Sequence, residues 1–276
     1  MTLLVTLIPK THSVDEIYVF GDSLSDIGNV FQTSGKLSPP SPPYFQGRYS
    51  NGLVWVEYLA KQLNLSADKI TNSAWGGATL GGGSSLPVPP VVTQIETFIT
   101  TRQSLNPSGL YVMWAGANDY LQDIATPEQA IANASSALQA LISKGAKHIL
   151  IANLPDLGNL PATRDTARAK ALTDLTKTHN SNLRRLLKVS GQQSHAELQL
   201  IELDVYSLYQ SVIAYPTKFG FQNVTNTCLV NLTVCKQPDQ FLFWDGIHPT
   251  TATHHILAEN ALTQLSQANL VGAIAH

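Results

Sequence analysis

The 276 residues fit one large domain or two small ones, and 17 Lys plus Arg against 19 Asp plus Glu leave a formal net charge of −2. With no basic excess to neutralise the phosphates of a duplex, nucleic acid is excluded as the first choice of partner, and a hydrophobic content of 43% excludes a disordered chain. A chain of this size buries about three quarters of the surface its unfolded form exposes, so a core needs no metal or disulfide to hold it.

In chain order, the opening run MTLLVTLIPK is apolar but has no basic residue ahead of it and no small-residue cleavage site, which makes it a poor signal peptide. No apolar stretch approaches the roughly 18 residues of a membrane span. Short apolar runs then predict strands at 17–21, 69–73, 110–115, 148–153 and 198–204, each apolar enough to be buried on both faces. Between them, helical periodicity predicts helices at 53–63, 91–102, 127–143 and about 162–189. In the last of these Leu172, Leu175, His179, Leu183, Leu186 and Leu187 share one face, a stripe expected to point into the core. The alternation predicts a layered α/β domain around a parallel sheet of about five strands. No internal repeat or shift of composition divides the chain, so a single domain over residues 1–276, with its core at about 17–268, is expected.

Two segments stand outside this pattern. Residues 35–47 contain PPSPPYFQG, whose prolines forbid helix and central strand alike and predict a rigid, extended wall. Residues 76–90, GGATLGGGSSLPVPP, follow a predicted strand and can bring backbone amides close to a ligand. Cys228 and Cys235, in the loop-like NVTNTCLVNLTVCK, are either a disulfide closing a small ring or two idle thiols. The low charge and Asn/Thr-rich surface suit a secreted or periplasmic protein.

Four segments carry chemistry. In IYVFGDSLSDIGN a buried strand runs into Gly21, Asp22 and Ser23, which sets Ser23 at the carboxyl end of a strand, where open α/β sheets bind ligands. An ordinary helix N-cap is the competing reading of that serine. In FWDGIHP, Asp245 precedes His248 by three residues, and one turn of loop can aim both side chains at one point. A serine hydroxyl needs a base to take its proton, and the base needs a carboxylate to fix its tautomer; His248 and Asp245 supply those parts. A metal site using Asp245, His248, His254 and His255 is disfavoured, because His254 and His255 fall next to each other on an apparent helix, about 100° apart, and are expected on an exposed face. Donors for a developing oxyanion are offered by NSAWGGAT, where Gly76 and Gly77 both let a backbone N–H approach, and by WAGANDY, where Asn118 presents a carboxamide at the same sheet edge, although Asn118 and Asp119 taken singly are more often a turn or a helix cap. No G-x-S-x-G elbow and no nucleotide-binding glycine fingerprint occurs.

GDSL at residues 21–24, NSAWGGAT, GAND at 116–119 and DGIHP at 245–249 resemble, in order, the four blocks of the GDSL or SGNH hydrolases. The neighbouring PPSPPYFQGRYSNG resembles the branch that includes bacterial lecithinase-like and plant GDSL esterases. The resemblance implies a three-layer α/β/α sandwich similar to flavodoxin, with Ser23 as nucleophile, His248 as base and Asp245 as its orienting carboxylate. It also implies an oxyanion hole from the Ser23 amide, the Gly77 amide and the Asn118 side chain; Gly77 is preferred to Gly76 because Ala78 and Thr79 follow it as a small residue and Thr do in the family.

The expected activity is that of a serine esterase or lipase acting on short-to-medium-chain acyl esters or lipids, without cofactor or metal. An acyltransferase or a carbohydrate acetyl esterase would use the same residues. The non-enzymatic alternative is a flavodoxin-like ligand-binding module. Trp75, Trp114, Trp244 and the loop at 39–45 are candidates to wall an apolar pocket, although tryptophans beside strands are core residues at least as often.

Overall fold

The structure, a computed structural model, describes residues 14–193 and 197–271; the apolar run at residues 1–10 lies outside them. Five parallel strands, β1 (Glu16–Gly21), β2 (Ile70–Asn72), β3 (Gly109–Trp114), β4 (His148–Ala152) and β5 (Gln199–Leu203), form the central sheet in the order β2-β1-β3-β4-β5. Each lies within one residue of its predicted ends. The expectation of burial on both faces holds for β3 and β4, which are buried throughout, and fails at the sheet's edges. There β2 (ITN) and β5 (QLIEL) carry polar residues and stay partly exposed, because an edge strand has a neighbour on one side only.

Parallel strands require long crossovers, and helices supply them. The described helices are α1 (Asn29–Thr33), α2 (Trp55–Gln62), α3 (Val91–Thr100), α4 (Ala117–Leu121), α5 (Pro127–Ser143), α6 (Ala169–Gln193), α7 (Val205–Ala214) and α8 (Thr251–Gln267). Helix α2 packs on α8, while α3 packs on α5 and α5 on α6, giving the two helical layers of an α/β/α arrangement. Helix α5 begins where its capping signals put it: Thr126 and Gln129 cap each other's backbone and Pro127 opens the first turn. Helix α6 starts later than its periodicity predicts. Thr163 and Thr166 turn their hydroxyls onto nearby carbonyls, Leu160 O at 3.3 Å and Thr163 O at 2.6 Å, and these local bonds replace the helical ladder over residues 163–168.

Short strands β6 (Asn223–Thr227), β7 (Leu229–Val230), β8 (Thr233–Val234) and β9 (Phe241–Phe243) lie before α8. A disulfide joins Cys228 to Cys235 across the β7–β8 hairpin. Among the described residues no helix is long and apolar enough to cross a membrane. Trp55, Trp114 and Trp244 are fully buried, with Trp55 edge-on to Trp114 at 5.7 Å, so the reading of Trp114 and Trp244 as pocket walls is corrected: they fill the core.

The exposed-face expectation for His254 is overturned as well. It lies on α8 with no accessible surface, and its Nδ1 accepts the Trp55 N–H at 3.3 Å. Burial, reinforced by the neighbouring His248, pulls its pKa from 6.5 to about 3. The unfolded chain therefore takes up a proton below pH 6.5 that the folded chain refuses until about pH 3, so this residue makes stability fall as pH falls through that window, by about 1.4 kcal/mol per pH unit. His254→Asn keeps an acceptor for Trp55 and removes the titration. Its unfolding free energy should decline less steeply than that of the parent between pH 6 and pH 4, by roughly that slope; parallel curves would show that His254 is not the linked group.

Candidate active site

The sheet order reverses between β1 and β3: the chain leaves β1 for one edge and returns on its other side to build β3. Loops leaving such a pair diverge, and the crevice between them is where ligands bind in open α/β sheets. Ser23 sits on the first of these loops and Asn118 on the first turn of α4, just beyond Gly21 and Trp114, which pair in register.

Gly21 is glycine because a Cβ there would run into the Trp114 carbonyl oxygen. Gln94 of α3 clamps its peptide, accepting its N–H and donating to its C=O, both at 2.9 Å, and Trp75 N–H bonds the same carbonyl at 3.0 Å. After it the chain turns tightly: the Ser25 and Asp26 amides return to Asp22 O, and the Asp22 carboxylate takes the Leu24 N–H. The buried Asp26 accepts the amides of Gly28, Asn29 and Gly76 at 2.7, 2.6 and 2.9 Å, tying the turn that carries Ser23 to the glycine loop. Gln94 and Asp26 are supports that no short motif flagged.

His248 approaches Ser23 from the far end of the chain. Its Nε2 lies 2.9 Å from Ser23 Oγ, and its Nδ1 lies 2.7 Å from Asp245 Oδ2. Asp245 also accepts the backbone amides of Ile247 and His248 at 2.9 and 2.8 Å, which folds the DGIHP segment into a turn under its own carboxylate. Burial alone would raise this carboxyl; the facing His248, the Tyr44 hydroxyl at 2.6 Å and the Ile247 N–H outweigh it and hold the group well below the usual carboxylate range. An ionised carboxylate only accepts, so Nδ1 carries the proton and Nε2 presents its lone pair to the serine O–H. A hydroxyl in that position can pass its proton to the imidazole as it attacks a carbonyl.

The donors line up beside it. Among the described residues neither the Ser23 nor the Gly77 amide has a protein acceptor, whereas the Gly76 amide is held by Asp26. Gly77 adopts φ +83, a conformation that favours glycine. Asn118, on the first turn of α4, donates one N–H to Ala78 O at 2.9 Å and so joins the two donor loops. Its neighbour Asp119 takes the Leu80 N–H at 3.0 Å, and Tyr120 bonds Nδ1 of the buried His179 at 2.7 Å, a polar contact within the apolar stripe. Burial raises the carboxyls of Asp22 and Asp119 to about 7 and 6.

Ser23, Asn118 and His248 open onto a cavity of about 30 Å³ whose apolar wall is Leu24, Leu121, Leu157, Leu160 and Ile247. The Pro-rich loop does not line it; that loop meets Asp245 through Tyr44, and Tyr49, just after it, stands 5.1 Å from the His248 ring. A larger cavity of about 550 Å³ between Tyr58, Lys218 and His255 lies away from Ser23 and contains no nucleophile paired with a base. Among the described residues no group of three or more His, Cys, Asp or Glu side chains is placed to hold a metal ion; His255 instead faces Glu259 at 3.6 Å.

Comparison with known proteins shows the family. The family model GDSL-like Lipase/Acylhydrolase matches residues 17–261. The chain is 30% identical to a phosphatidylcholine-sterol acyltransferase of Aeromonas hydrophila, over 90% of this chain and 89% of that one. It is 25% identical to a GDSL esterase/lipase of Arabidopsis thaliana, over 94% and 90% of the two chains. Among solved structures, the inhibitor-bound aryl esterase of M. smegmatis shares the fold at TM-score 0.55 and 17% identity, covering 93% of this chain and all (100%) of its own. The chain is thus a carboxylic ester hydrolase and belongs to the GDSL-like lipase/acylhydrolase family.

Proposed function

We propose that Ser23 is the nucleophile of a two-step acyl transfer, with His248 as general base and Asp245 as its orienting carboxylate. The observation that carries this reading is the unbroken chain of hydrogen bonds from Ser23 Oγ through His248 to Asp245, at 2.9 and 2.7 Å. Ser23 Oγ attacks the ester carbonyl while His248 Nε2 takes its proton. The tetrahedral oxyanion is held by the amides of Ser23 and Gly77 and by the Asn118 side chain. His248 then protonates the leaving alcohol, leaving an acyl-serine, and water repeats the sequence to release the acid. The unpaired amides of Ser23 and Gly77 support their part in this scheme, as does the position of Asn118.

The substrates we propose are acyl esters of short to medium chain, including lipid esters, with the apolar wall from Leu24 to Ile247 receiving an apolar substituent. All these groups gather at the carboxyl ends of β1 and β3, in keeping with a chain that is one catalytic domain. The Cys228–Cys235 disulfide supports secretion or a periplasmic site, where such bonds persist. A second reading is favoured by the Aeromonas relative named as an acyltransferase: the same acyl-serine passed to an alcohol in place of water.

A fluorophosphonate probe should label Ser23 stoichiometrically and end hydrolysis of p-nitrophenyl esters, because only an activated serine reacts. A protein that hydrolyses the esters yet is never labelled at Ser23 overturns the assignment. Adding a free alcohol during turnover reads out the second possibility as a new ester product.

A further inference from the structure

We propose that Tyr44 is a positioning residue of this site: its hydroxyl, donated to Asp245 Oδ2 at 2.6 Å, fixes the carboxylate that orients His248 and draws off part of its charge. The inference rests on the roles proposed above for Ser23, His248 and Asp245. Tyr44 comes from the Pro-rich segment, 201 positions before Asp245.

The two carboxylate oxygens of Asp245 are held unequally. Oδ1 accepts the amides of Ile247 and His248 at 2.9 and 2.8 Å as well as facing His248 Nδ1 at 3.0 Å. Oδ2 has the shorter contact to Nδ1, 2.7 Å, and its other partner is the Tyr44 hydroxyl. Without that hydroxyl, the oxygen that makes the closer bond to the imidazole has nothing else to fix it.

Tyr44 is itself well held. Its N–H bonds Pro40 O at 3.1 Å, and the next residue, Phe45, bonds Ser50 O at 2.9 Å. Ser50 Oγ in turn bonds Pro249 O at 2.9 Å, one residue beyond His248. The Tyr44 ring stands edge-on to Trp244 and Tyr49, at 6.2 and 6.4 Å. The loop thus acts as a brace running from the DGIHP turn back to its own tip. Burial, with the Asp245 charge and hydrogen bond, raises the phenol well above its usual range, so it stays a donor across the working pH.

Tyr44→Phe keeps the ring and its packing and removes only the donor. The ionisable groups that bear on His248 besides Asp245 are Asp22, His254 and Tyr49; of these Tyr49 adjoins Tyr44, and the substitution keeps the ring that packs against it. An Asp245 carboxylate freed of its second donor presents more charge to the imidazolium, so His248 holds its proton more tightly. The expected result is a kcat about 10-fold lower at the plateau, the lower end of what a hydrogen bond to a charged group contributes. KM should stay within about 2-fold, and the acid limb of kcat/KM should move up by about half a pH unit. The His248 Nδ1 proton resonance should move downfield, a readout that does not depend on turnover.

An acid limb and a resonance that coincide with those of the parent, whatever happens to kcat, would reduce Tyr44 to loop packing and overturn the proposal. Ser23→Ala measured alongside separates the two levels: if it is inactive while Tyr44→Phe is unshifted, only the role of Tyr44 falls. If Ser23→Ala remains active, the reading beneath it falls too.

Discussion

Ser23→Ala is expected to reduce hydrolysis of a p-nitrophenyl ester by at least on the order of 10⁴-fold, leaving the residual rate that substrate binding and oxyanion donors provide without a nucleophile. Folding should survive. The side chain loses one hydrogen bond, to His248 at 2.9 Å, and His248 keeps Asp245; the net contribution of such a bond to stability is about 1 kcal/mol. The turn around Ser23 is maintained by groups other than its hydroxyl: Asp22 O accepts the Ser25 and Asp26 amides, and Asp26 fastens Gly28, Asn29 and Gly76. An unfolding midpoint close to that of the parent, with activity at background and no fluorophosphonate adduct, is the predicted outcome. Turnover at the parental rate would remove the serine from the chemistry, and equal loss of activity and of folded protein would place Ser23 among the structural residues.

Asp245, His248 and Ser23 were legible because each belongs to a short motif in which a turn-forming residue follows or precedes a strand. Glycine at 21 avoids the Trp114 carbonyl, and Asp245 folds its own turn through the Ile247 and His248 amides. Such constraints act over three or four residues and leave a local imprint. The central strands were legible for a similar reason: β3 and β4 are covered on both faces, and continuous apolar runs are the only sequences that tolerate this.

What escaped notice depends on contacts made across the fold. Nothing within the Pro-rich loop shows that Tyr44 meets Asp245, nor within α3 that Gln94 clamps Gly21, 73 positions away. His254 and His255 look alike in sequence, yet α8 turns one into the core against Trp55 and the other toward Glu259. A helix of mixed composition does not announce which of two adjacent histidines it buries. The tryptophans were ambiguous: a place beside a strand end suits a pocket wall or the core alike, and Trp114 at the end of β3 and Trp244 after β9 are both buried.

Asn118→Ala is the other substitution with a large expected effect, a kcat lower by on the order of 10²-fold or more, equivalent to about 2.7 kcal/mol of transition-state stabilisation. The carboxamide has two N–H groups. One holds Ala78 O at 2.9 Å, which leaves the other to meet the oxyanion. Removing the side chain therefore deletes a donor and also loosens the link between α4 and the loop carrying the Gly77 amide. The two consequences are separable, because the oxyanion exists only on the way to the tetrahedral intermediate. Loss of the donor lowers kcat with little change in KM, and it weakens binding of a tetrahedral boronate inhibitor by a similar factor, while product inhibition is unaffected. Loosening of the loop would instead raise KM and lower the unfolding midpoint together. A parental kcat, or a fall in kcat unaccompanied by weaker boronate binding, would assign Asn118 to holding the glycine loop and leave the oxyanion to the amides of Ser23 and Gly77.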